Sequence, residues 1–370
     1  MLATTLYGFE PLLEKELLQL GAMHIKKGTR NVSFVGDKGF MYKANLSLRT
    51  ALSILKPVYT FKFNDEDEFY QKLYGYNWID VMKVDHTFMV SANAYQSIFN
   101  NTQFIALRTK DAVVDYFRNK TGKRPSVSTK DPQIVLNIHI SRNSCTLSLD
   151  SSGDKLFKRG YRTATNIAPI NEVLAAGLLL HSGWDGQSDF LDPMCGSGTI
   201  LIEAAMIACR IPPNLNRKAF GFMNWLDWDE ELYEVIMSSV LKKIRPFHFK
   251  IKGIDKAPSA VRKAQDNVSK ANLDEFIDIV HDDFFSTKKE TDRKLHMLFN
   301  PPYGTRLDVK PELFYKTMGD VFKTHYRNTE ICIITPDEEA PRFLGLKGSR
   351  QIKVYNGGIE AKLYSFKVFE

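Results

Sequence analysis

Residues Asp189-Phe-Leu-Asp-Pro-Met-Cys-Gly-Ser-Gly-Thr199 constrain the fold of this chain more than any other stretch. A short apolar run ends in an acid, a proline and a Gly-x-Gly turn, and an apolar run, Ile200–Cys209, follows with helical character. Strand, tight turn and helix in that order begin a crossover unit, which commits the chain to a parallel sheet with helices packed on it. Gly196 and Gly198 let the backbone approach a ligand closely. The third glycine of a dinucleotide fingerprint is absent, and Asp192 would repel a pyrophosphate. An acid at this point favours an ammonium or sulfonium, the character of S-adenosylmethionine rather than NAD.

Three later runs extend the same sheet. Phe249-Lys-Ile-Lys-Gly-Ile-Asp255 ends in an acid that such folds use for ribose hydroxyls, and helix Ala257–Ala271 returns the chain. Ile277-Asp-Ile-Val-His-Asp-Asp283 ends the third strand with Asp283 placed to meet an adenine amine. Each acid taken alone could equally be a helix N-cap at a strand exit. Together with Asn300 after the fourth strand they fall on one carboxyl edge, and that agreement carries the argument.

The fourth strand exit, Met297-Leu-Phe-Asn-Pro-Pro-Tyr-Gly304, holds the chemistry. Pro301 and Pro302 have fixed φ and no N–H, so the carbonyls here meet little competition from local donors. The Asn300 side-chain oxygen and the Pro301 carbonyl then form two rigid acceptors beside the Tyr303 ring. Such a pair suits an NH2 on a conjugated ring, turning its delocalised lone pair toward an electrophile. Tyr303 would stack on the base; the alternative is a strand-ending turn with Tyr303 as a core lid.

Charge divides the 370 residues. Residues 1–160 hold 22 Lys/Arg against 15 Asp/Glu, whereas residues 161–370 hold 28 of each. A neutral half joined to a basic half separates catalysis from holding a polyanion, although a basic face can also be simply solvated. The first half reads as α+β. A helix spans 9–20 with Gly21 as its C-cap, and another lies near Phe40–Leu52. Strands are expected at Asn31–Val35, Val58–Phe63, Phe88–Ala92, Gln133–Ser141 and Ser144–Asp150, with a helix over Phe104–Phe117. Arg118-Asn-Lys-Thr-Gly-Lys-Arg-Pro125 puts four basic residues within seven, and Arg108 and Lys110 precede it, so this surface is expected to grip phosphates. Asp150–Arg162, containing Lys158 and Arg159, reads as a basic approach to the second domain, Thr163–Pro169 as linker, and Asn171–Ser182 as a helix.

The long insertion Arg210–Phe247 is expected to carry a helix over Glu230–Ile244 and to cover the site, as a lid packed by its own aromatics or as a base-stacking platform. Helix Leu313–Tyr326, strand Glu330–Thr335 and a hairpin around Asn356-Gly-Gly complete the sheet. Cys145, Cys195, Cys209 and Cys332 show no metal-ligand spacing, and scattered thiols point to a reducing cytoplasm with neither zinc nor disulfides. No run approaches membrane-spanning length, and the first ten residues lack a signal peptide's features.

The acidic Gly-x-Gly loop, the Asn-Pro-Pro-Tyr exit and the terminal hairpin resemble class I S-adenosylmethionine-dependent methyltransferases acting on amino groups. With Arg108 to Arg162, Ala168-Pro-Ile-Asn-Glu172 and Phe299-Asn-Pro-Pro-Tyr-Gly304, nearly the whole chain resembles the THUMP-containing RlmL family of bacterial 23S rRNA guanine-N2 methyltransferases. The resemblance implies a ferredoxin-like module at 1–60, a THUMP domain at 61–160 binding RNA through Arg108, Lys110, Lys123, Arg124, Lys158 and Arg159, and a Rossmann-like seven-stranded methyltransferase domain at 161–370. It implies that Asp192, Cys195, Gly196 and Gly198 line the methionine end of the cofactor, with Asp255 at the ribose and Asp283 at the adenine. Asn300, Pro301 and Tyr303 then hold the target base, which implies RNA as partner: 23S rRNA or an assembly intermediate, with tRNA as the alternative. Adenine-N6 methylation is the other reading of the loop, because it holds either amine. Larger family members carry a second methyltransferase domain, whose activity is not expected of these residues.

Overall fold

The computed structural model describes residues 1–162, 170–303 and 310–369. The linker expected over Thr163–Pro169 and the glycine closing the Asn-Pro-Pro-Tyr exit, Gly304, lie outside these residues, as do Ala168 and Pro169 of the quoted family motif.

Among the described residues, the first half forms one eight-stranded sheet. Its strands are β1 (Leu2–Thr5), β2 (Met23–Lys27), β3 (Asn31–Val35), β4 (Ala51–Lys62), β5 (Thr87–Tyr95), β6 (Ser126–Val127), β7 (Ile134–Ser141) and β8 (Ser144–Asp150), in the order β2-β3-β1-β4-β8-β7-β5-β6. Helices α1 (Glu10–Leu20), α2 (Lys38–Ser47), α3 (Glu66–Tyr74) and α4 (Thr102–Thr121) accompany it. Helix α1 stops at Gly21, whose φ of 96° is left-handed, and α4 starts on the Asn101 side chain, which accepts from Gln103 N at 2.8 Å. The helix expected to reach Leu52 ends at Ser47, because Ala51 to Leu55 bury themselves as a strand. That strand, β4, pairs with β1 at one end and β8 at the other. The boundary expected at residue 60 therefore falls inside a shared strand.

The second half is a seven-stranded sheet: β9 (Asp189–Asp192), β10 (Ile251–Asp255), β11 (Ile277–His281), β12 (Leu295–Phe299), β13 (Thr329–Thr335), β14 (Gly348–Asn356) and β15 (Ile359–Val368). The order is β11-β10-β9-β12-β13-β15-β14, parallel through β13, with β15 antiparallel to both its neighbours. Helices α5 (Glu172–Ser182), α6 (Thr199–Ala208), α7 (Glu230–Leu241), α8 (Pro258–Lys270), α9 (Pro311–His325) and α10 (Ala340–Leu344) complete it. The order reverses between β9 and β12. In a doubly wound sheet that reversal opens a crevice at the carboxyl ends.

The insertion between α6 and β10 corrects the expectation of a lid. Phe220, Phe222 and Trp225 belong to the hydrophobic core of the first half, and Phe222 packs 4.5 Å from the Tyr42 ring. Leu232 and Ile236 of α7 reach Gly39 on α2. The aromatics were too apolar to stay on a solvent-facing cover, so the insertion straps the two halves together. Phe9 makes the reciprocal contact, packing on α5 so closely that a Cβ at Gly177 would lie 2.0 Å from its ring.

Candidate active site

Four strand ends build the site. Along the carboxyl edge, β11, β10, β9 and β12 present Asp283, Asp255, the Asp192–Gly198 turn and Asn300 in turn. Neighbouring strands lie about 4.8 Å apart, so three gaps span about 14 Å, room for an extended nucleoside joined to an amino acid. Met297 pairs with Leu191, and continuing that register sets Asn300 level with Met194. The Asn300–Tyr303 loop and the Gly-x-Gly turn are therefore adjacent.

Asp192 is 1% exposed, and Oδ1 accepts from Met194 N at 3.1 Å. Burial, with the neighbouring Asp255 charge adding to it, pushes its carboxyl well above the usual range. A cation brought beside the two acids would oppose that shift by favouring their charged form. Asp255 is half-buried; Oδ2 accepts from Gly196 N at 2.9 Å and Oδ1 from Ala257 N at 2.9 Å. Each oxygen retains a lone pair for a further donor, so the carboxylate both fixes the turn and stays competent to bind hydroxyls.

The two glycines have different duties. Gly196, at φ +54°, has nothing within 4 Å of where a Cβ would stand, whereas a Cβ on Gly198 would press on Ala264 of α8 at 3.2 Å. Open space for a ligand thus belongs to Gly196, and close helix packing to Gly198. The Cys195 side chain turns inward to pack under Gly253, and burial raises its thiol pKa well above the ordinary value; only its backbone borders the turn. Asp283 is exposed and accepts from Phe285 N at 3.0 Å, capping a short 3-10 turn while leaving its second oxygen outward.

Asn300 Oδ1 is buried and finds no hydrogen-bond partner among the described residues. An unsatisfied buried acceptor is destabilising by about 1–3 kcal/mol, a penalty that an incoming N–H donor removes. Pro301 is buried, and Tyr303 is partly exposed, its hydroxyl accepting from Asn356 Nδ2 at 3.1 Å. The terminal hairpin thus reaches back to hold the ring, a contact absent from any local pattern. Arg162 escaped the sequence reading in the same way. Its guanidinium pairs with Glu172 at 2.9 Å and donates to Thr199 Oγ1 at 2.8 Å, fastening the domain junction to the first residue of α6. A pair of neighbouring acids, open space at Gly196 and an orphaned acceptor alongside fit the chemistry of S-adenosylmethionine. Groups of metal-ligating side chains are absent among the described residues.

The expected RNA contacts divide. Lys123 and Arg124 are exposed. Arg108 stacks on Tyr70 at 4.2 Å and pairs with Asp67 at 3.3 Å, Lys110 pairs with Asp111 at 2.6 Å, and Lys158 with Asp154 at 2.8 Å. Arg159 is a correction. Its side chain is fully buried against Glu203, so no phosphate reaches it. A tyrosine and another arginine within three residues made this segment look like a solvated basic linker; folding turned it into an interior strut.

Comparison with known proteins adds to this geometry. Residues 159–365 match the family described as RMKL-like, methyltransferase domain; residues 63–150 match the THUMP domain, and 1–55 the RlmL ferredoxin-like domain. The ribosomal RNA large subunit methyltransferase K/L of Syntrophotalea carbinolica is 35% identical across 100% of this chain, which spans about half (53%) of that protein's length. A Synechocystis protein named as a candidate RNA methyltransferase is 31% identical over 99% of this chain and 96% of its own. The crystal structure of a candidate methyltransferase complexed with S-adenosylhomocysteine superposes with a TM-score of 0.88 at 30% identity, covering 100% of this chain and 98% of the other. Among the described residues, no helix is long and apolar enough to cross a membrane.

Proposed function

The chain belongs to the RMKL-like methyltransferase family, and from that premise we propose that it methylates the exocyclic N2 amine of a guanine in 23S ribosomal RNA, using S-adenosylmethionine. The orphaned Asn300 Oδ1, level with the Asp192 turn, is the observation that carries this reading. The names of the large-subunit rRNA relatives support ribosomal RNA, and the THUMP match supports an RNA partner.

When bound, S-adenosylmethionine supplies a methyl group made electrophilic by its sulfonium charge. Asp192 would answer the cationic amino-acid end, Asp255 the ribose and Asp283 the adenine. Asn300 Oδ1 and the Pro301 carbonyl accept the two amine N–H bonds and hold the nitrogen lone pair out of conjugation. Tyr303, fixed by Asn356, stacks on a guanine that has left its helix. The surplus amine proton passes to water.

Asn300→Ala is expected to lower turnover by at least about a hundredfold while S-adenosylhomocysteine affinity stays within about twofold. Equal loss of both would make Asn300 a structural residue. Wild-type enzyme offered separated rRNA and tRNA, followed by nucleoside mass spectrometry, should yield N2-methylguanosine in rRNA alone; N6-methyladenosine, or label in tRNA, would overturn the assignment.

A further inference from the structure

One cavity lies away from Asn300, between the two halves. It encloses about 700 Å³, walled by loop 129–132 of the first half, the junction from Ser152 to Arg162, and the insertion from Arg217 to Asn224. Its acids are largely spent: Asp154 is held by Lys158 at 2.8 Å and Glu172 by Arg162 at 2.9 Å. Its bases are not. Lys130 and Lys218 are exposed on different walls, and neither has an ion-pair partner among the described residues. Arg217 donates to four backbone carbonyls, those of Lys155, Lys158, Ser152 and Asp154, and has no ion-pair partner among the described residues. Asp131 is the remaining acid on the rim.

We propose that this cleft is the track along which single-stranded RNA passes from the first half to the catalytic edge, with Lys130 and Lys218 gripping phosphates on opposite sides. The inference rests on the RNA methyltransferase reading and locates its substrate path. Three features favour a polyanion. The uncompensated charge is positive, and half-buried Phe157 offers an aromatic face. In addition, Arg162 lines the cleft and donates to Thr199, so one wall of the cleft is tied to the helix that follows the Gly-x-Gly turn. Phe220 and Phe222 anchor the insertion wall in the core of the first half.

The test measures binding of ribosomal RNA, taken from a strain lacking this protein, to wild type and to Lys130→Glu/Lys218→Glu across a salt series. Lys242→Glu/Lys243→Glu, the same charge change at the exposed end of α7, is the control. The cleft variant should bind at least about tenfold more weakly, and its slope of log affinity against log salt should flatten by about 1.4, or about 0.7 for each lost phosphate contact. S-adenosylhomocysteine affinity should be unchanged, and the control should keep the wild-type slope. A cleft variant with wild-type affinity and slope overturns the proposal and leaves the cleft to a protein partner. An equal loss in the control overturns it too, by reducing the effect to net charge. Wild type that fails to bind the RNA at all would sink the methyltransferase reading along with the track.

Discussion

Replacing Arg159 with methionine is the sharpest test of how the two halves are joined. The side chains of Arg159 and Glu203 are both 0% exposed, with Nε to Oε1 at 3.0 Å. The guanidinium also donates to Leu156 O at 3.0 Å, Asn214 Oδ1 at 3.1 Å and Arg49 O at 2.7 Å. Those partners come from the first half, the junction and the insertion, while Glu203 comes from α6. Methionine fills much of the volume but strands a buried carboxylate, whose Oε2 already lacks a partner. Breaking a buried pair from one side is destabilising by about 3–5 kcal/mol. The lost carbonyl contacts act in the same direction without adding fully, so about 4 kcal/mol is expected. At about 2 °C per kcal/mol for a chain of this size, the calorimetric midpoint should fall by about 8 °C. Glu203→Gln introduced on top of Arg159→Met should recover at least half of that, since the stranded charge is gone. A fall of under about 2 °C would refute the argument and return Arg159 to the surface, where it could serve RNA.

Two other outcomes follow from single contacts. Removing the 3.1 Å bond by Asn356→Ala or Tyr303→Phe should raise the RNA KM about fivefold, the value of about 1 kcal/mol, and the double variant should be no worse than either single one; additive losses would show that Asn356 does not act through Tyr303. Burial, reinforced by Arg350, holds His181 down to about 4, so the folded state keeps it neutral beside Phe9 at the contact between the halves. The unfolded chain takes up that proton near pH 6.5, so stability is full above that pH and is lost as pH falls toward 4; a His181 ring resonance that titrates at 6.5 in the folded protein would contradict this.

The second half was legible in the sequence because its signals are local. An acid or asparagine at the end of each apolar run marks a strand exit wherever the chain goes next, and parallel crossovers leave little choice of edge. Asp192, Asp255, Asp283 and Asn300 needed no knowledge of distant residues to be set side by side. The same local logic located α1 through Gly21 and α4 through its span of apolar positions. It missed β1 because Leu2–Thr5 is only four residues long and β2 because Met23–Lys27 buries no alternating face, and both become strands through pairing, β1 with β3 and β4, β2 with β3.

What stayed hidden depends on partners far along the chain, and charge is the clearest case. Lys158 and Arg159 are adjacent, equally basic and on the same glycine-punctuated run, yet one is exposed and the other is fully buried. Only Glu203, 44 positions later, distinguishes them, because a guanidinium enters an interior when a carboxylate and several carbonyls await it. The aromatic insertion obeys the same rule. Phe220, Phe222 and Trp225 read as a cover for the site when the only known neighbour is the catalytic sheet, but Tyr42 and α2 supply a larger apolar surface. A basic residue in a linker is therefore evidence for phosphate binding only after every buried acid within reach has been assigned its partner. By that criterion Lys130 and Lys218, with no ion-pair partner among the described residues, outrank Arg159.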